Sequence, residues 1–119
     1  MTIESRELED GITRIDLAGR MDIAGTEQVD LRFSGITSTV KRGAVVDMSA
    51  VTFLASIGIR TLITNAKSLK LRGASLVLVR PSPLVAEVLR SVGIHDIIPI
   101  FEDLEAAVAA IKAAPRAAD

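Results

Sequence analysis

The chain has 119 residues, of which 49% are apolar and 24% are charged, and its formal net charge is -1 at pH 7. This composition indicates one compact folded domain and excludes a disordered chain, and the absence of cysteine excludes a disulfide framework. No apolar run approaches the roughly 18 residues that a membrane span needs, and the N-terminus lacks the pattern of a signal peptide. We therefore expect a cytoplasmic protein without a membrane segment.

Metal, cofactor and nucleic-acid chemistry have little support in the composition. The one histidine, His95, cannot build a metal site alone, and no cysteine is present to help it. Three Phe with no Tyr or Trp leave little for base stacking. We therefore expect no metal, cofactor or nucleic acid, and we interpret the bases on one predicted helix as a solvent-exposed face: Arg60, Lys67, Lys70 and Arg72.

Two strands open the chain. Residues 3–8 and 12–18 have strand character, and Asp10-Gly11 between them is typical of a hairpin turn. The sequence therefore predicts an antiparallel pair at the start of the domain.

A first helix and a buried strand come next. The helix is expected to begin at Gly25 or Thr26 and to end near Gly43, and residues 44–48 then form an apolar run before Ser49. Such a run suits a strand covered on both faces. The helix has one apolar stripe: Val29, Phe33, Ile36 and Val40.

The second helix is predicted from Ile57 to Leu71, with Gly73 as its C-terminal stop. Another buried strand, residues 74–79, follows at once. The apolar stripe of this helix consists of Ile59, Leu62, Ile63, Ala66 and Leu69.

The third helix has the clearest boundaries, with Ser82 as N-cap, Pro83 at the first helical position and Gly93 as terminator. Residues 96–100 are predicted as a last short strand, and Pro99 places it at an edge of the sheet. The stripe of the helix consists of Leu84, Val85, Val88, Leu89 and Val92.

A fourth helix is predicted around Leu104, Val108 and Ile111. The order is then β-β-α-β-α-β-α-β-α, an α/β fold with right-handed parallel crossovers and a mixed sheet. We expect one domain over residues 1–114 and a frayed tail over residues 115–119.

Common enzyme signatures are missing from this α/β pattern. The chain has no G-x-G-x-x-G after a strand, no G-x-x-x-x-G-K-[ST] loop and no G-x-S-x-G elbow. Asp47 stands without the acidic cluster that a phosphoaspartate receiver needs, and His95 lies near a helix end, where histidines are common. An unrecognised enzyme site around Asp47 and His95 remains as a minor alternative.

Ser56 lies among apolar residues at the start of the second helix, and two interpretations are open. It can be an N-cap whose oxygen accepts from the N–H of Gly58 or Ile59. It can instead present an exposed hydroxyl, where an attached phosphate would meet the positive end of the helix dipole. Gly58 either gives a partner room to approach or serves close packing.

Three segments resemble one family. The segment DMSAVTFLASIGIRTLI, residues 47–63, is similar to the signature of the STAS domains, the anti-sigma factor antagonists. GRMD, residues 19–22, resembles the G-x-[LM]-D loop of that family, and RPSPLVAEVLRSVGI, residues 80–94, resembles its penultimate helix. The resemblance covers essentially the whole domain and implies a STAS-like fold.

The resemblance implies a switch without enzymatic activity. Such proteins bind an anti-sigma factor that is itself a serine kinase of the histidine-kinase-like ATPase fold, phosphorylation ends the binding, and a PP2C-type phosphatase restores it. By position, Ser56 matches the phosphoacceptor. The positions that match the partner-binding loops are Met21, Asp22, Ala55, Ile57 and Gly58.

Two residues depart from the family pattern beside Ser56. Ala55 stands where many phosphorylated members have Asp, and Ile57 stands where Ser or Thr is frequent. Loss of the carboxylate removes a charge and a hydrogen-bond partner, so a constitutive STAS interaction module that is never phosphorylated is the main alternative.

Overall fold

The computed structural model describes residues 1–114, so the predicted tail over residues 115–119 lies outside the described residues. The strands β1, Thr2–Glu7, and β2, Ile12–Met21, form the predicted antiparallel hairpin. Asp10 (φ 56°) and Gly11 (φ 74°) both have left-handed backbone in its turn, which confirms the turn signal. Strand β2 continues three residues beyond its predicted end.

The first helix, α1, spans Ile23–Thr37, so both of its predicted ends were wrong. It begins earlier because Asp22 caps it. It ends earlier because the hydroxyls of Ser38 and Thr39 donate back to the carbonyls of Gly35 (2.6 Å) and Ile36 (2.9 Å). Val40 is buried, as its place in the stripe suggested, but it follows the helix.

The strand β3, Gly43–Leu54, is more than twice as long as the predicted strand at residues 44–48. Its second half continues to pair with β2, up to Arg20 opposite Phe53 and Met21 opposite Leu54. Two register shifts interrupt the ladder between β2 and β3. The prediction stopped at residue 48 because the apolar run ends at Ser49, whereas the strand continues through the exposed residues Ser49 and Ala50.

The next three elements lie close to their predicted positions: α2, Ser56–Leu71, then β4, Ser75–Val79, then α3, Pro83–Ser91. Gly73 (φ 79°) and Gly93 (φ 72°) follow α2 and α3 with left-handed backbone, as the stop signals predicted. Ser82 occupies the N-cap position of α3, but its hydroxyl makes no cap hydrogen bond.

The last strand exists, but its predicted bounds, residues 96–100, were wrong. Ile94–Asp96 forms a short 3-10 helix, and the strand β5 consists only of Ile100–Phe101. Pro99 precedes this strand and has no backbone N–H to donate. Its carbonyl accepts a hydrogen bond from the backbone N–H of Leu78 at 2.9 Å. Helix α4, Leu104–Ala113, follows as predicted.

The sheet order is β1-β2-β3-β4-β5, with β1 and β2 antiparallel and every later pair parallel. Strand β5 is therefore an edge strand. The main core joins one face of the sheet to α1, α2 and α3, and a smaller core joins the other face to α4. Because the strands β2, β3 and β4 are parallel, their carboxyl ends and the N-termini of α1, α2 and α3 lie at one edge of the sheet.

Candidate functional site

The predicted site lies at this carboxyl edge, where β2 and β3 end side by side. Met21, the last residue of β2, is paired with Leu54, the last residue of β3. The backbone N–H of Ala55 donates to the carbonyl of Met21 at 3.0 Å. The strand ending before α1 is thereby joined to the strand ending before α2.

Ser56 is the first residue of α2 and is not its N-cap, so the capping interpretation was wrong. The N-cap is Ala55, whose methyl group cannot accept a hydrogen bond, and its carbonyl accepts from the N–H groups of Gly58 (3.0 Å) and Ile59 (3.1 Å). The Ser56 side chain is exposed. Its hydroxyl is therefore presented at the surface beside a helix start that no side chain caps.

Gly58 serves close packing. A Cβ at this position would lie 2.7 Å from Cγ of Met21 and 2.9 Å from Cδ1 of Leu54, and Met21 itself has no exposed surface. A partner at this edge would therefore not touch the Met21 side chain, contrary to the expectation of a direct contact. Gly58 is buried as well, and both residues support the Ser56 turn from beneath.

The two residues that flank Ser56 lie at least partly at the surface. Ala55 and Ile57 are both half-buried, and Ile57 belongs to neither apolar core. Ile59 and Ile63, farther along the same helix, pack against the main core. Ile57 is thus an aliphatic side chain available for contact next to the hydroxyl.

Asp22 caps the neighbouring helix α1. Its Oδ1 accepts from the backbone N–H of Gly25 at 2.8 Å, and its Oδ2 accepts from Nε of Arg20 at 3.4 Å. The hydrogen bond from Gly25 lowers the pKa of Asp22, and the Arg20 guanidinium lowers it further against the opposing effect of desolvation. Asp22 is therefore held as a carboxylate at this edge.

Arg20 is a site residue that the sequence analysis did not single out. Its side chain is 63% exposed, and its guanidinium lies over the ring of Phe53, 4.4 Å from the centroid. The residue was visible in the GRMD segment, but only the register between β2 and β3 shows that it lies opposite Phe53, three residues before Ser56.

Asp47 and His95, the residues of the enzyme alternative, have separate surroundings. Burial raises the pKa of Asp47, but hydrogen bonds from Arg80 and the backbone of Ser49 outweigh it and hold that pKa below its usual value. His95 is half exposed, and its acidic neighbour is Asp96 at 3.8 Å. Within residues 1–114, no hydrogen bond or ion pair joins Asp47 to His95.

A cavity of about 630 Å³ lies on the opposite face of the sheet, between α4 and the hairpin loop. Its lining includes Leu8, Leu104 and Val108, and Lys112 at its rim pairs with Glu9 at 2.8 Å. Across the described part of the chain, no three acidic or histidine side chains come together as a metal site, and no helix is long and apolar enough to cross a membrane.

The sequence of this chain matches the STAS domain family over residues 5–107. It is 31% identical over 105 residues to BtrV of Bordetella bronchiseptica, which is named as an anti-sigma factor antagonist; the match covers 88% of this chain and 90% of that protein. The chain belongs to the STAS domain family.

Solved structures share the fold. An anti-sigma factor antagonist domain of Planctomyces limnophilus superposes with a TM-score of 0.82 at 23% identity, covering 93% of this chain and 98% of that one. Unphosphorylated SpoIIAA gives a TM-score of 0.77 at 17% identity, covering 97% and 100%. SpoIIAA of Bacillus has also been solved in a phosphorylated form, with a TM-score of 0.69 at 17% identity over 92% and 99% of the two chains.

Proposed function

We propose that this protein is an anti-sigma factor antagonist that is switched by phosphorylation of Ser56. In its unphosphorylated form it binds an anti-sigma factor that is also a serine kinase of the histidine-kinase-like ATPase fold, and so regulates transcription in the cytoplasm. A PP2C-type phosphatase restores the form that binds. The protein itself catalyses no reaction in this cycle.

The observation that carries the proposal is the exposed hydroxyl of Ser56 at the uncapped start of α2. The names of BtrV and SpoIIAA support the antagonist role, and the existence of a phosphorylated SpoIIAA supports a phosphoacceptor in this fold. Around Ser56, the partly exposed Ala55 and Ile57 and the carboxylate of Asp22 would contribute to the partner interface. Met21 and Gly58 would maintain its shape.

The chemical step is transfer of the γ-phosphoryl group of ATP to Oγ of Ser56, with ADP as leaving group and the hydroxyl proton passing to a base of the kinase. The product carries about -1.5 to -2 charges at pH 7. Because a helix N-terminus favours an anion, the phosphate should leave the fold intact. Binding ends instead because a charge and its hydration shell now occupy the interface.

The experiment is to incubate the purified protein with a candidate serine-kinase anti-sigma factor and ATP, then to measure intact mass and phosphopeptides. Ser56→Ala is the control, because it removes one oxygen from an exposed side chain. We expect one added phosphate that is lost in the control. Phosphate at another residue, or none in a stable complex, would contradict the phosphorylation switch.

The alternative of a constitutive STAS interaction module rests on Ala55. A residue without a side-chain acceptor leaves the kinase no carboxylate beside the hydroxyl, and it leaves α2 uncapped. This alternative predicts a stable complex that ATP does not dissociate. The same mass measurement therefore separates the two functions.

A further inference from the structure

Two exposed arginines lie on the elements that meet at the Ser56 turn, Arg20 on β2 and Arg60 on α2, and neither has a role in the proposal so far. Arg60 lies four residues after Ser56 on α2, and residues with this spacing are neighbours on one helix face, with Cβ atoms about 5–6 Å apart. Its side chain is exposed, and within residues 1–114 no acidic group pairs with it. Arg60 is thus a free cation on the same face as the hydroxyl.

Arg20 approaches from the neighbouring strand. The hydrogen bond between Met21 and Ala55 lies one residue after Arg20 and one residue before Ser56. From the spacing of consecutive Cα atoms, the Cα atoms of Arg20 and Ser56 are therefore within about 15 Å of each other. This upper bound leaves a phosphate on Ser56 within reach of the arginine only if the Arg20 side chain leaves its present place over the Phe53 ring.

The contacts that now hold Arg20 are weak enough to exchange. Its bond to Asp22 is 3.4 Å long and exposed, and its contact with Phe53 is a cation–π interaction on a largely solvated side chain. Asp22 also keeps its hydrogen bond from Gly25 when the arginine leaves. Exposed pairs of this kind contribute about 0–1 kcal/mol.

One acid besides Asp22 lies close to the start of α2: Asp30 of α1 accepts a hydrogen bond from the hydroxyl of Thr61, the residue after Arg60, at 3.4 Å. The first turns of α1, α2 and α3 contain no acidic residue, and Asp22 is the carboxylate that caps the first of them. A phosphate carries more charge than this carboxylate and offers three acceptor oxygens, to which a guanidinium binds in bidentate fashion.

We propose that Arg20 and Arg60 form a two-arginine clamp that binds the phosphate of phosphorylated Ser56. This inference rests on the proposed function, which supplies the phosphate. On phosphorylation, Arg20 leaves Asp22 and the Phe53 ring and turns toward the phosphate, while Arg60 binds it from the same helix. The modified edge then presents an ordered phosphate and an unpaired Asp22 carboxylate, and both would repel acidic groups of a partner.

The test uses protein with phosphoserine incorporated at position 56 by genetic encoding, so that no kinase is needed. The phosphate is titrated by ³¹P NMR in the parent protein, in Arg20→Gln, in Arg60→Gln and in the double variant. Arg6→Gln is the matched control, because Arg6 is an exposed arginine on β1. All of these side chains are exposed or largely exposed, so the variants should fold.

We expect the second pKa of the phosphate to rise by about half a unit with each single replacement and by more in the double variant, since each cation favours the dianion. The control should leave it unchanged. Equal titration of the parent and the double variant would overturn the clamp, and a response to only one arginine would overturn its two-residue form.

The outcome is independent of the kinase experiment. If no kinase phosphorylates Ser56 but the titration responds to both arginines, the switch fails as a function while the clamp stands. If the kinase phosphorylates Ser56 but the titration does not respond, the switch stands and the clamp fails. Melting curves give a second readout, because phosphoserine should raise the melting temperature of the parent more than that of the double variant.

Discussion

The helices α1 and α2 begin side by side at the same sheet edge, yet their first turns are built differently. At α1, Asp22 accepts from the N–H of Gly25 at 2.8 Å and closes the helix start. At α2, the N-cap is Ala55, and no side chain accepts from the first N–H groups. The start of α1 is capped by a side chain of the protein, whereas the first N–H groups of α2 are left to solvent or to a bound group.

The two helix starts differ in how far they are optimised for stability. An alanine N-cap costs about 0.5–2 kcal/mol relative to Ser, Thr, Asp or Asn. The open start is the one that carries the exposed Ser56, beside the firmly capped α1. We interpret the capped start of α1 as a rigid support, and the uncapped start of α2 as the surface that phosphorylation would modify.

The largest loss of stability is expected from a replacement at the capped start of α1. A Cβ at Gly25 would lie 1.9 Å from the backbone oxygen of Arg20, and a backbone atom cannot move aside as a side chain can. Gly25→Ala should therefore lower the free energy of unfolding by about 3 kcal/mol or more, measured in urea. Gly35→Ala is the control on the same helix: nothing lies near its Cβ position, and we expect a gain of about 0.5–1 kcal/mol. Equal effects of the two changes would contradict this account.

The corresponding glycine replacement at the start of α2 should lower the free energy of unfolding by less. At Gly58 the Cβ would meet side-chain atoms, Cγ of Met21 and Cδ1 of Leu54, which can partly adjust, whereas a backbone atom cannot. We expect Gly58→Ala to lower the free energy of unfolding by about 1–3 kcal/mol in the same assay. A loss larger than that of Gly25→Ala would show that the α2 start is the more tightly packed of the two.

Adding a side-chain cap to the start of α2 should stabilise the protein. Ala55→Asp supplies the acceptor that α2 lacks and places a negative charge at the helix N-terminus, so we expect a gain of about 1 kcal/mol in urea unfolding. Ala55→Leu, which adds bulk without an acceptor, is the comparison. No gain with Asp over Leu would mean that the N–H groups of α2 are already satisfied in solution.

The smallest change in stability is expected from removing the charge of Asp22. Its pKa is lowered in the folded protein, so its ionised form stabilises the fold above the unfolded pKa, near 3.9, and this contribution is lost as the pH falls through the folded pKa. Asp22→Asn keeps a capping oxygen and removes the charge. The parent should be slightly more stable than the variant at pH 6, and the difference should shrink as the pH falls below the unfolded pKa. A difference that persists unchanged at pH 3 would contradict the assignment.

The sequence was sufficient to predict the element order, the opening hairpin and the edge position of β5. Elements with simple periodicity and clear ends, such as α2 and α3, fell close to their predicted bounds. The second half of β3 was missed because the apolar run ends at Ser49, although the strand continues to pair with β2 as far as Leu54. The last strand was predicted too early, at residues 96–100, because Ile97 and Ile98 have strand propensity, although they precede β5.

The site was predictable in its place but not in its detail. Ser56, Ala55 and Ile57 do lie partly or fully at the surface of one turn. The burial of Met21 and Gly58 and the position of Arg20 depend on contacts between β2 and β3, which are distant in sequence. No local pattern encodes such contacts.

In the proposed switch, phosphate at Ser56 ends partner binding without unfolding the domain. The most direct test compares unmodified protein with protein carrying encoded phosphoserine at position 56, using calorimetric binding to a purified serine-kinase anti-sigma factor and melting curves of both forms. We predict an equal or higher melting temperature for the phosphorylated form and an affinity lower by about a hundredfold or more. Unchanged affinity, or loss of binding accompanied by loss of the fold, would contradict the account.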